Sequence, residues 1–368
     1  MVTTVPSMTD VARHAGVSQA TVSNVLNYPQ RVRPGTIERV EKSIRELGFV
    51  RNNNARALAS GRNASIGLVT TGLDHSFAID VAHGAQQESL DHGFQLLIAI
   101  ADHDRATQGG HIDFFVGAQV TGILVSLLAE SGAPLGDRFD SGIPTVVINF
   151  HDAADRCYVV VDNEKVGYLA ARHMIELGCK RLLFVSTSVR LQQISEREAG
   201  VRRAVAEEDG AVQLEEFSVR DYNRADEAVA LGHRIAMRPV STRPDGVIGV
   251  TDIVAGAVIW ALAQRQIAIP EEIAVMGCDA NTFAWGGVVP LTTIESRAYD
   301  LGRTGVALLL EEAVVDPENP HVHRTEVLEP YVIPRESTIG RRIAVVRGPQ
   351  DWHEVEPADG IQRAPETS

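Results

Sequence analysis

Long apolar stretches are scarce in this chain of 368 residues. The longest notable uncharged run, Val116–Ala129, is too short for a membrane span and contains Gln119, Thr121 and Ser126. The N-terminal segment lacks a basic start followed by an apolar core, so no secretory signal is predicted. These absences exclude a membrane-spanning protein and lead us to expect a cytoplasmic one.

Cysteine is also rare. Cys157, Cys179 and Cys278 lie far apart and form no CxxC pair. Their spacing predicts neither a disulfide framework nor a zinc site, so three reduced thiols are expected. We interpret His321 and His323 as a pair in a loop rather than as metal ligands. No metal and no cofactor are therefore expected.

Sequence motifs of common enzymes are missing. The chain has no GxxxxGK[ST], GxSxG or HExxH motif, and no GxGxxG follows a predicted strand. The twelve histidines are scattered and suggest no reacting group. The sequence therefore favours a binding protein over an enzyme.

Charge is divided unevenly along the chain. Residues 1–62 contain nine basic and four acidic side chains, a net charge of +5. Because the whole chain carries −14, the other 306 residues carry −19. A small basic head on a large acidic body indicates that the head meets a polyanion.

The head contains the pattern of a helix-turn-helix. A short helix is predicted over Asp10–Ala15, Gly16 ends it, and Ser18 is a good N-cap for a second helix over Gln19–Leu26. The predicted exposed face of the second helix carries small or hydrogen-bonding residues, namely Gln19, Ala20, Thr21, Ser23 and Asn24. Such a face can enter a DNA major groove and contact base edges.

A third amphipathic helix is predicted over Thr36–Leu47, after the breaker pair Pro34–Gly35 and before Gly48. From geometry alone, a generic three-helix packing unit remains the alternative to a DNA-binding head.

The string MTDVARHAGVSQATVSNVLN resembles the N-terminus of the lactose-repressor/galactose-repressor family of bacterial transcription regulators. The resemblance assigns Gln19, Ala20 and Asn24 to the base-reading face, although the family usually has Arg at the position of Asn24. It places the following residues at phosphate-contacting or register-fixing positions: Thr21, Ser23, Asn27, Arg31 and Thr36. Ser18 is also counted among the DNA-binding residues.

The segment Asn53–Ser60 is rich in Ala, Leu and Arg, and eight residues alone form only a marginal helix. By resemblance it is a hinge helix that orders on DNA, with Arg56 at the DNA and Leu58 inserted into a minor-groove base step. From the residues alone, Leu58 is better interpreted as a packing residue under a linker, and only the surrounding motif favours the DNA contact. Gly61–Ser65 is predicted to be the linker into the body.

From residue 65 onward, short apolar strands alternate with helical stretches. This alternation predicts two α/β lobes with parallel sheets covered on both faces, the second series beginning at 158–162. Ligands gather at the carboxyl ends of such strands, so a cleft between the lobes is the expected small-molecule site.

The body also resembles the family's effector domain, which is related to periplasmic sugar-binding proteins. DNEKVGYLAARHMIELGCKRLLFV and PDGVIGVTDIVAGAVIWALAQRQIAIPEEIAVMGCD carry this likeness. It implies a sugar as the commonest ligand, with nucleosides and purines also represented. The implied effector-binding residues are Phe77, Asn149, Arg197, Tyr222, Thr251 and Asp279.

The expected fold is thus an all-α helix-turn-helix head on a two-lobed α/β body like that of periplasmic binding proteins. The expected function is DNA-binding transcriptional regulation, by repression in the family's usual mode. It would act as a homodimer on a pseudo-palindromic operator, under control of a small molecule. The alternative is a non-enzymatic sugar- or nucleoside-binding protein in which DNA binding is secondary or activating.

The predicted domains follow the same division. They are the head (1–52), the hinge and linker (53–64), one lobe (65–160 with 290–323), the other lobe (161–289 with 324–340) and a flexible tail (341–368).

Overall fold

The structure is a computed structural model that describes residues 6–49, 63–73, 76–101, 104–126, 142–152, 154–280, 287–314 and 320–340. Within these ranges, no helix has both the length and the apolar character needed to cross a bilayer. The predicted hinge residues Arg56 and Leu58, and the predicted tail 341–368, lie outside the described residues.

The head consists of three short helices around a small apolar core. They are α1 (Met8–Ala15), α2 (Gln19–Asn27) and α3 (Pro34–Leu47). Ser7 caps α1 through a capping box with Asp10, and Gly16 ends that helix in the left-handed conformation. The buried apolar side chains come from all three helices: Val11, Ala12, Val22, Val25 and Val40, with Phe49 after α3.

Two head predictions are confirmed and one is wrong. Ser18 caps α2 by accepting a hydrogen bond from the Thr21 backbone N–H, and Gly48 ends α3 in the left-handed conformation. However, the pair Pro34–Gly35 lies inside the first turn of α3 instead of before it. Proline fits there because the first N–H groups of a helix have no partner within the helix.

The first lobe contains a six-stranded, fully parallel sheet in the order β11-β5-β4-β3-β1-β2. Its strands are β1 (Asn63–Thr70), β2 (Gln95–Ile100), β3 (Val120–Ser126), β4 (Thr145–Ile148), β5 (Cys157–Val161) and β11 (Thr325–Leu328). Its helices are α4 (Ser76–Asp91), α5 (Arg105–Gly117) and α10 (Ala298–Ala313).

The second lobe contains a four-stranded parallel sheet in the order β7-β6-β8-β9. Its strands are β6 (Arg181–Thr187), β7 (Gln213–Val219), β8 (Gly246–Gly249) and β9 (Ala274–Met276). Its helices are α6 (Asn163–Glu176), α7 (Gln192–Ala206), α8 (Asp226–Met237) and α9 (Asp252–Gln264). A small antiparallel pair, β10 (Thr293–Glu295) with β12 (Tyr331–Ile333), packs against α6.

Close backbone contacts fix how the helices of each lobe pack. A Cβ at Gly84 of α4 would lie 1.9 Å from the Tyr299 carbonyl oxygen of α10. A Cβ at Gly167 of α6 would lie equally close to the Arg197 carbonyl oxygen of α7. Glycine at these positions therefore lets each helix pair approach to backbone contact.

The division into lobes differs from the prediction in three places. The strand at 158–162 does not open the second lobe, because β5 pairs with β4 and β11 in the first sheet. The segment 324–340 does not belong wholly to the second lobe, because β11 is an edge strand of the first. The predicted linker Gly61–Ser65 is shorter, because β1 already begins at Asn63.

Candidate functional site

The helix-turn-helix places most of the predicted DNA-contacting side chains on the surface of the head. Thr21, Ser23 and Thr36 are half-buried. The remaining ones are exposed: Ser18, Gln19, Ala20, Asn24, Asn27 and Arg31. The predicted set therefore forms the outer face of α2 and its flanks, while Val22 and Val25 occupy the inner face.

Several of these side chains are already held in place by the head. The Ser18 and Thr21 hydroxyls lie 2.8 Å apart, and Asn27 Nδ2 donates to the Ser23 carbonyl oxygen at 2.9 Å. The Arg31 guanidinium lies over the Tyr28 ring, 4.9 Å from its centre. This order lowers the entropy that the side chains lose when they bind a phosphate or base.

A cleft between the two lobes, the interlobe cavity, encloses about 600 Å³ of space, including solvent at its open side, and side chains of both lobes line it. The first lobe contributes Thr70, Thr71, Phe77, Ala78, Ser126 and Asn149. The second contributes Leu191, Gln193, Ile194, Arg197, Tyr222, Asn223, Thr251 and Asp279.

All six residues predicted to bind an effector line this one cavity. They come from positions 77 to 279 of the chain, and only the fold brings them together. The prediction did not include the hydroxyl and amide side chains of Thr70, Ser126, Gln193 and Asn223. Thr70 and Ser126 end the parallel strands β1 and β3, so the rule that ligands gather at carboxyl ends of strands points to them.

Arg197 is a buried cation fixed by two hydrogen bonds. Its Nε donates to Asn163 Oδ1 at 3.0 Å, and its Nη1 donates to the Val250 carbonyl oxygen at 2.8 Å. Asn163 begins α6 and Val250 follows β8, so two elements orient the guanidinium plane. Among the described residues these bonds leave Nη2 for a ligand.

Asp279 belongs to a hydrogen-bonded group at the start of α9. Its Oδ1 accepts from the Asp252 backbone N–H at 2.9 Å, and its own N–H lies 3.3 Å from Thr293 Oγ1. Thr293 Oγ1 donates to Asp252 Oδ1 at 2.6 Å. A Cβ at Gly277 would lie 2.0 Å from that same Oδ1, so the group requires glycine there.

Thr251 has a structural role that the sequence prediction did not include. It caps α9 by accepting from the Val254 N–H at 3.3 Å, and its hydroxyl donates to the Tyr222 carbonyl oxygen at 3.2 Å. Thr251 therefore ties the loop that carries Tyr222 to the helix next to Asp279.

Two adjacent glutamines at the start of α7 differ in their partners. Gln192 bridges the lobes, since its Oε1 accepts from the His151 N–H at 3.0 Å and its Nε2 donates to the His151 carbonyl oxygen at 3.2 Å. Gln193 is 5 % exposed, and its Oε1 is buried without a hydrogen-bond partner among the described residues. A buried acceptor that lines a cavity is suited to a donor group of a ligand.

Two titratable groups that are sequence neighbours of cavity residues, Cys278 of Asp279 and Glu196 of Arg197, are perturbed by burial. Burial raises the pKa of the Cys278 thiol to about 12, so this cysteine stays protonated and is a poor nucleophile at neutral pH. Burial also raises the pKa of Glu196 to about 7, assisted by Asp162 and opposed by Arg197.

Comparisons with known proteins agree with this arrangement. Residues 7–52 match the profile of bacterial regulatory proteins of the lacI family, and residues 171–338 match the periplasmic binding protein-like domain. The HTH-type transcriptional repressor PurR of Vibrio parahaemolyticus serotype O3:K6 (strain RIMD 2210633) is 31% identical over 329 residues, which are 89% of this chain and 96% of that protein. The chain belongs to the LacI family.

Other relatives extend the match. The PurR repressor of Aliivibrio fischeri (strain MJ11) is 29% identical over 335 residues, which are 90% of this chain and 98% of that protein. The chain is therefore a DNA-binding transcriptional regulator.

Solved structures share the fold. The Lac repressor bound to ONPG in the repressed state has a TM-score of 0.77 at 19% identity, covering 91% of this chain and 100% of that chain. The complex of the transcriptional regulator CelR with cellobiose has a TM-score of 0.61 at 26% identity, covering 90% of this chain and 99% of that chain.

Proposed function

We propose that this LacI-family regulator is a repressor that binds a pseudo-palindromic operator as a homodimer and responds to a small polar effector in the interlobe cavity. The observation that carries the proposal is the cavity itself. Side chains from both lobes surround it, so an occupant contacts both and favours one arrangement of the lobes over another.

The chemistry of α2 supports direct reading of bases. Gln19 and Asn24 are exposed, and carboxamide side chains form paired hydrogen bonds with adenine in the major groove. Ala20 between them suits a thymine methyl group. The proposed head, residues 1–52, supplies one such helix per chain, so two chains are needed for a specific site. Hinge residues Arg56 and Leu58 belong to the proposal as minor-groove contacts.

A sugar is the effector that the cavity chemistry favours. The lining offers Arg197 as donor, Asp279 as charged acceptor, and the hydroxyls of Thr70, Thr71 and Ser126. Such a set pairs with neighbouring hydroxyl groups on a carbohydrate. The 26% identical regulator CelR is solved with the disaccharide cellobiose, which supports the same class for this chain.

A nucleoside or a purine base is the second candidate. Phe77 enters the cavity from the first lobe and Tyr222 from the second. Two aromatic rings in one small cavity favour a flat heterocycle as well as a sugar ring. The amides of Gln193 and Asn223 supply the paired donors and acceptors that a base edge requires.

The homodimer is supported by an apolar surface on the first lobe. β2 is an edge strand, and its Leu97, Ile98 and Ile100 are exposed. Phe114 is 65 % exposed and lies one helical turn from His111, whose Nε2 is 2.9 Å from the Ile100 carbonyl oxygen. Exposed apolar side chains at a sheet edge are typical of a subunit interface. A 19% identical structure, the Lac repressor bound to operator, is a dimer.

The polar residues at the cavity support binding rather than catalysis. Arg197 and Asp279 are held by structural hydrogen bonds, and the nearby Cys278 thiol is protonated at neutral pH. We therefore propose a binding protein that is not an enzyme. Since its partner is the operator DNA, it works in the bacterial cytoplasm at the nucleoid.

The test uses the full chain. DNA enriched from a random pool should contain two inverted half-sites, and the complex should weaken steeply with salt because phosphate contacts release counterions. Sugars, nucleosides and purine bases are then screened by thermal shift. Stabilisation by sugars supports the first candidate, and stabilisation by nucleosides or bases alone supports the second. Failure to enrich any DNA would contradict the proposed function.

A further inference from the structure

Four donor side chains meet far from the interlobe cavity. Cys157 begins β5, Glu312 lies near the end of α10, and His321 and His323 precede β11. One ligating atom from each lies within 4.8 Å of the other three. This metal-ligating cluster consists of one sulfur, two imidazole nitrogens and one carboxylate oxygen.

The pairing of β5 with β11 creates the cluster. β11 runs parallel to β5, with Thr325 opposite Tyr158, and the Tyr158 N–H donates to the Arg324 carbonyl oxygen at 3.0 Å. This register sets the residues just before β11 beside the start of β5. Cys157 therefore meets histidines that are 164 and 166 positions away in sequence.

Both histidines turn toward the same sulfur. The Cys157 Sγ lies 3.1 Å from His321 Nε2 and 3.8 Å from His323 Nδ1. Val322 between them is 76 % exposed, as the alternation of an extended segment requires. The two rings meet edge to face rather than stacking, with centres 5.3 Å apart.

These distances suit a tetrahedral ion. With Zn–S of about 2.3 Å and Zn–N of about 2.0–2.1 Å, tetrahedral ligand atoms lie about 3.3–3.8 Å apart. The sulfur–nitrogen distances bracket this range. All separations are within 4.8 Å, so closing to a tetrahedral shell requires a contraction of at most about 1.5 Å, within reach of side-chain rotation.

The cation Arg324, which lies next to His323 in sequence, is paired. Arg324 donates to Glu326 at 2.7 Å and to Glu311 at 2.8 Å, so two carboxylates neutralise it. Cys157 itself is fully buried. A buried sulfur with two imidazoles and a carboxylate is the donor set of a borderline-soft ion and not of Mg²⁺ or Ca²⁺.

We propose that Cys157, Glu312, His321 and His323 bind a divalent transition-metal ion of the Zn²⁺ class. On binding, the Cys157 thiol releases its proton to solvent and the thiolate becomes a ligand. The site lies at the amino edge of the first sheet, the edge at which Asn63 opens β1, whereas the cavity lies at the carboxyl edge. It is therefore separate from the proposed effector site and does not depend on it.

The test is metal titration of the untagged full chain after removal of metals with a chelator. One equivalent of Zn²⁺ should bind and raise the melting temperature, and Mg²⁺ should do neither. Co²⁺ in place of Zn²⁺ should give the near-ultraviolet absorption band of a cobalt–thiolate bond, a signature that a histidine-only site lacks.

Variants assign the ligands. The partly buried pair is changed first, in His321→Gln/His323→Gln, and Zn²⁺ affinity should fall about a hundredfold or more. Cys157→Ser should abolish the cobalt–thiolate band. Matched controls are His92→Gln/His111→Gln and Cys179→Ser, a cysteine equally buried in the other lobe, and both should bind as the wild type does.

Three results would overturn the proposal. They are the absence of stoichiometric Zn²⁺ binding, binding that the histidine pair does not affect, and a Co²⁺ complex without the thiolate band. In each case the cluster would be only a set of hydrogen bonds around Cys157.

Discussion

The substitution Gln193→Met is expected to stabilise the ligand-free protein and weaken effector binding at the same time. Gln193 Oε1 is buried and has no hydrogen-bond partner among the described residues. A buried unsatisfied acceptor costs about 1–3 kcal/mol, and methionine has nearly the same length without that acceptor. We expect a gain near the lower limit, about 1 kcal/mol, because methionine does not reproduce the packing fully.

Both effects are measurable. A gain of about 1 kcal/mol raises the melting temperature of a two-lobed body of this size by about 2 °C. If a ligand donor bonds to Oε1, its loss removes about 1 kcal/mol of binding energy, a factor of about five in Kd. Thermal unfolding without ligand measures the first effect, and titration with the effector found in the screen measures the second.

The neighbouring glutamine supplies the control. Gln192→Met removes two hydrogen bonds to His151, at 3.0 and 3.2 Å, and should lower the melting temperature by a similar amount. Two equal substitutions at adjacent positions thus have opposite expected signs. A Gln193→Met protein that melts below the wild type, or binds effector with unchanged affinity, would refute the reasoning.

Three further predictions concern the cavity, the hinge and pH. Asp279→Ala should abolish the effect of the effector on operator complexes while leaving operator affinity near normal, and an equal response in mutant and wild type would place the site elsewhere. Leu58→Ala should reduce operator bending and specific affinity without changing the melting temperature; unaltered bending would mean that Leu58 only packs. Glu196 has a pKa of about 7 in the fold, above its value in the unfolded chain. The contribution of Glu196 to the free energy of unfolding of the wild type is therefore lost as pH rises from about 4.5 to about 7. Glu196→Gln should therefore melt increasingly above wild type between pH 5 and pH 8, and a constant difference in melting temperature would contradict the assignment.

The alternation of strands and helices could be predicted from the sequence because most strands are buried on both faces. Every residue of β3 is buried, and its sequence VTGILVS is a nearly continuous apolar run. β11 was missed because an edge strand alternates: Val327 is 52 % exposed, and no apolar run marks its position. Assigning β5 and β11 to a lobe requires strand pairing across more than 160 positions, which local patterns do not encode.

The place of the cavity between the lobes followed from the alternation of strands and helices, whereas family resemblance supplied six of its residues. Nothing in the sequence gave a reason to select Gln193, because its role depends on the burial of one atom, Oε1, which only the structure shows. The metal-ligating cluster was interpreted as a histidine pair in a loop for a similar reason. Its sulfur lies 164 positions from His321, and no spacing rule joins Cys157 to that histidine.

The chain passes between the lobes at three crossing segments, which lie after β5 (from Val161), before α10 (up to Ala298) and after β11 (from Leu328). We expect an occupant of the cavity to act at a distance through them. Asp279 is linked to one of them, since its carbonyl oxygen accepts from Ser296 Oγ at 3.5 Å. Two other segments are joined by a bond from the Asp162 N–H to the Leu328 carbonyl oxygen at 3.2 Å. We expect a ligand that contacts both lobes to shift their relative position at these segments. The shift is limited by the difference in affinity for the two arrangements, commonly about 1–3 kcal/mol. Because β1 begins at Asn63, soon after the proposed hinge in sequence, we expect motion of the first lobe to reach the head through that strand. An effector that bound one lobe alone is then expected to leave operator affinity unchanged.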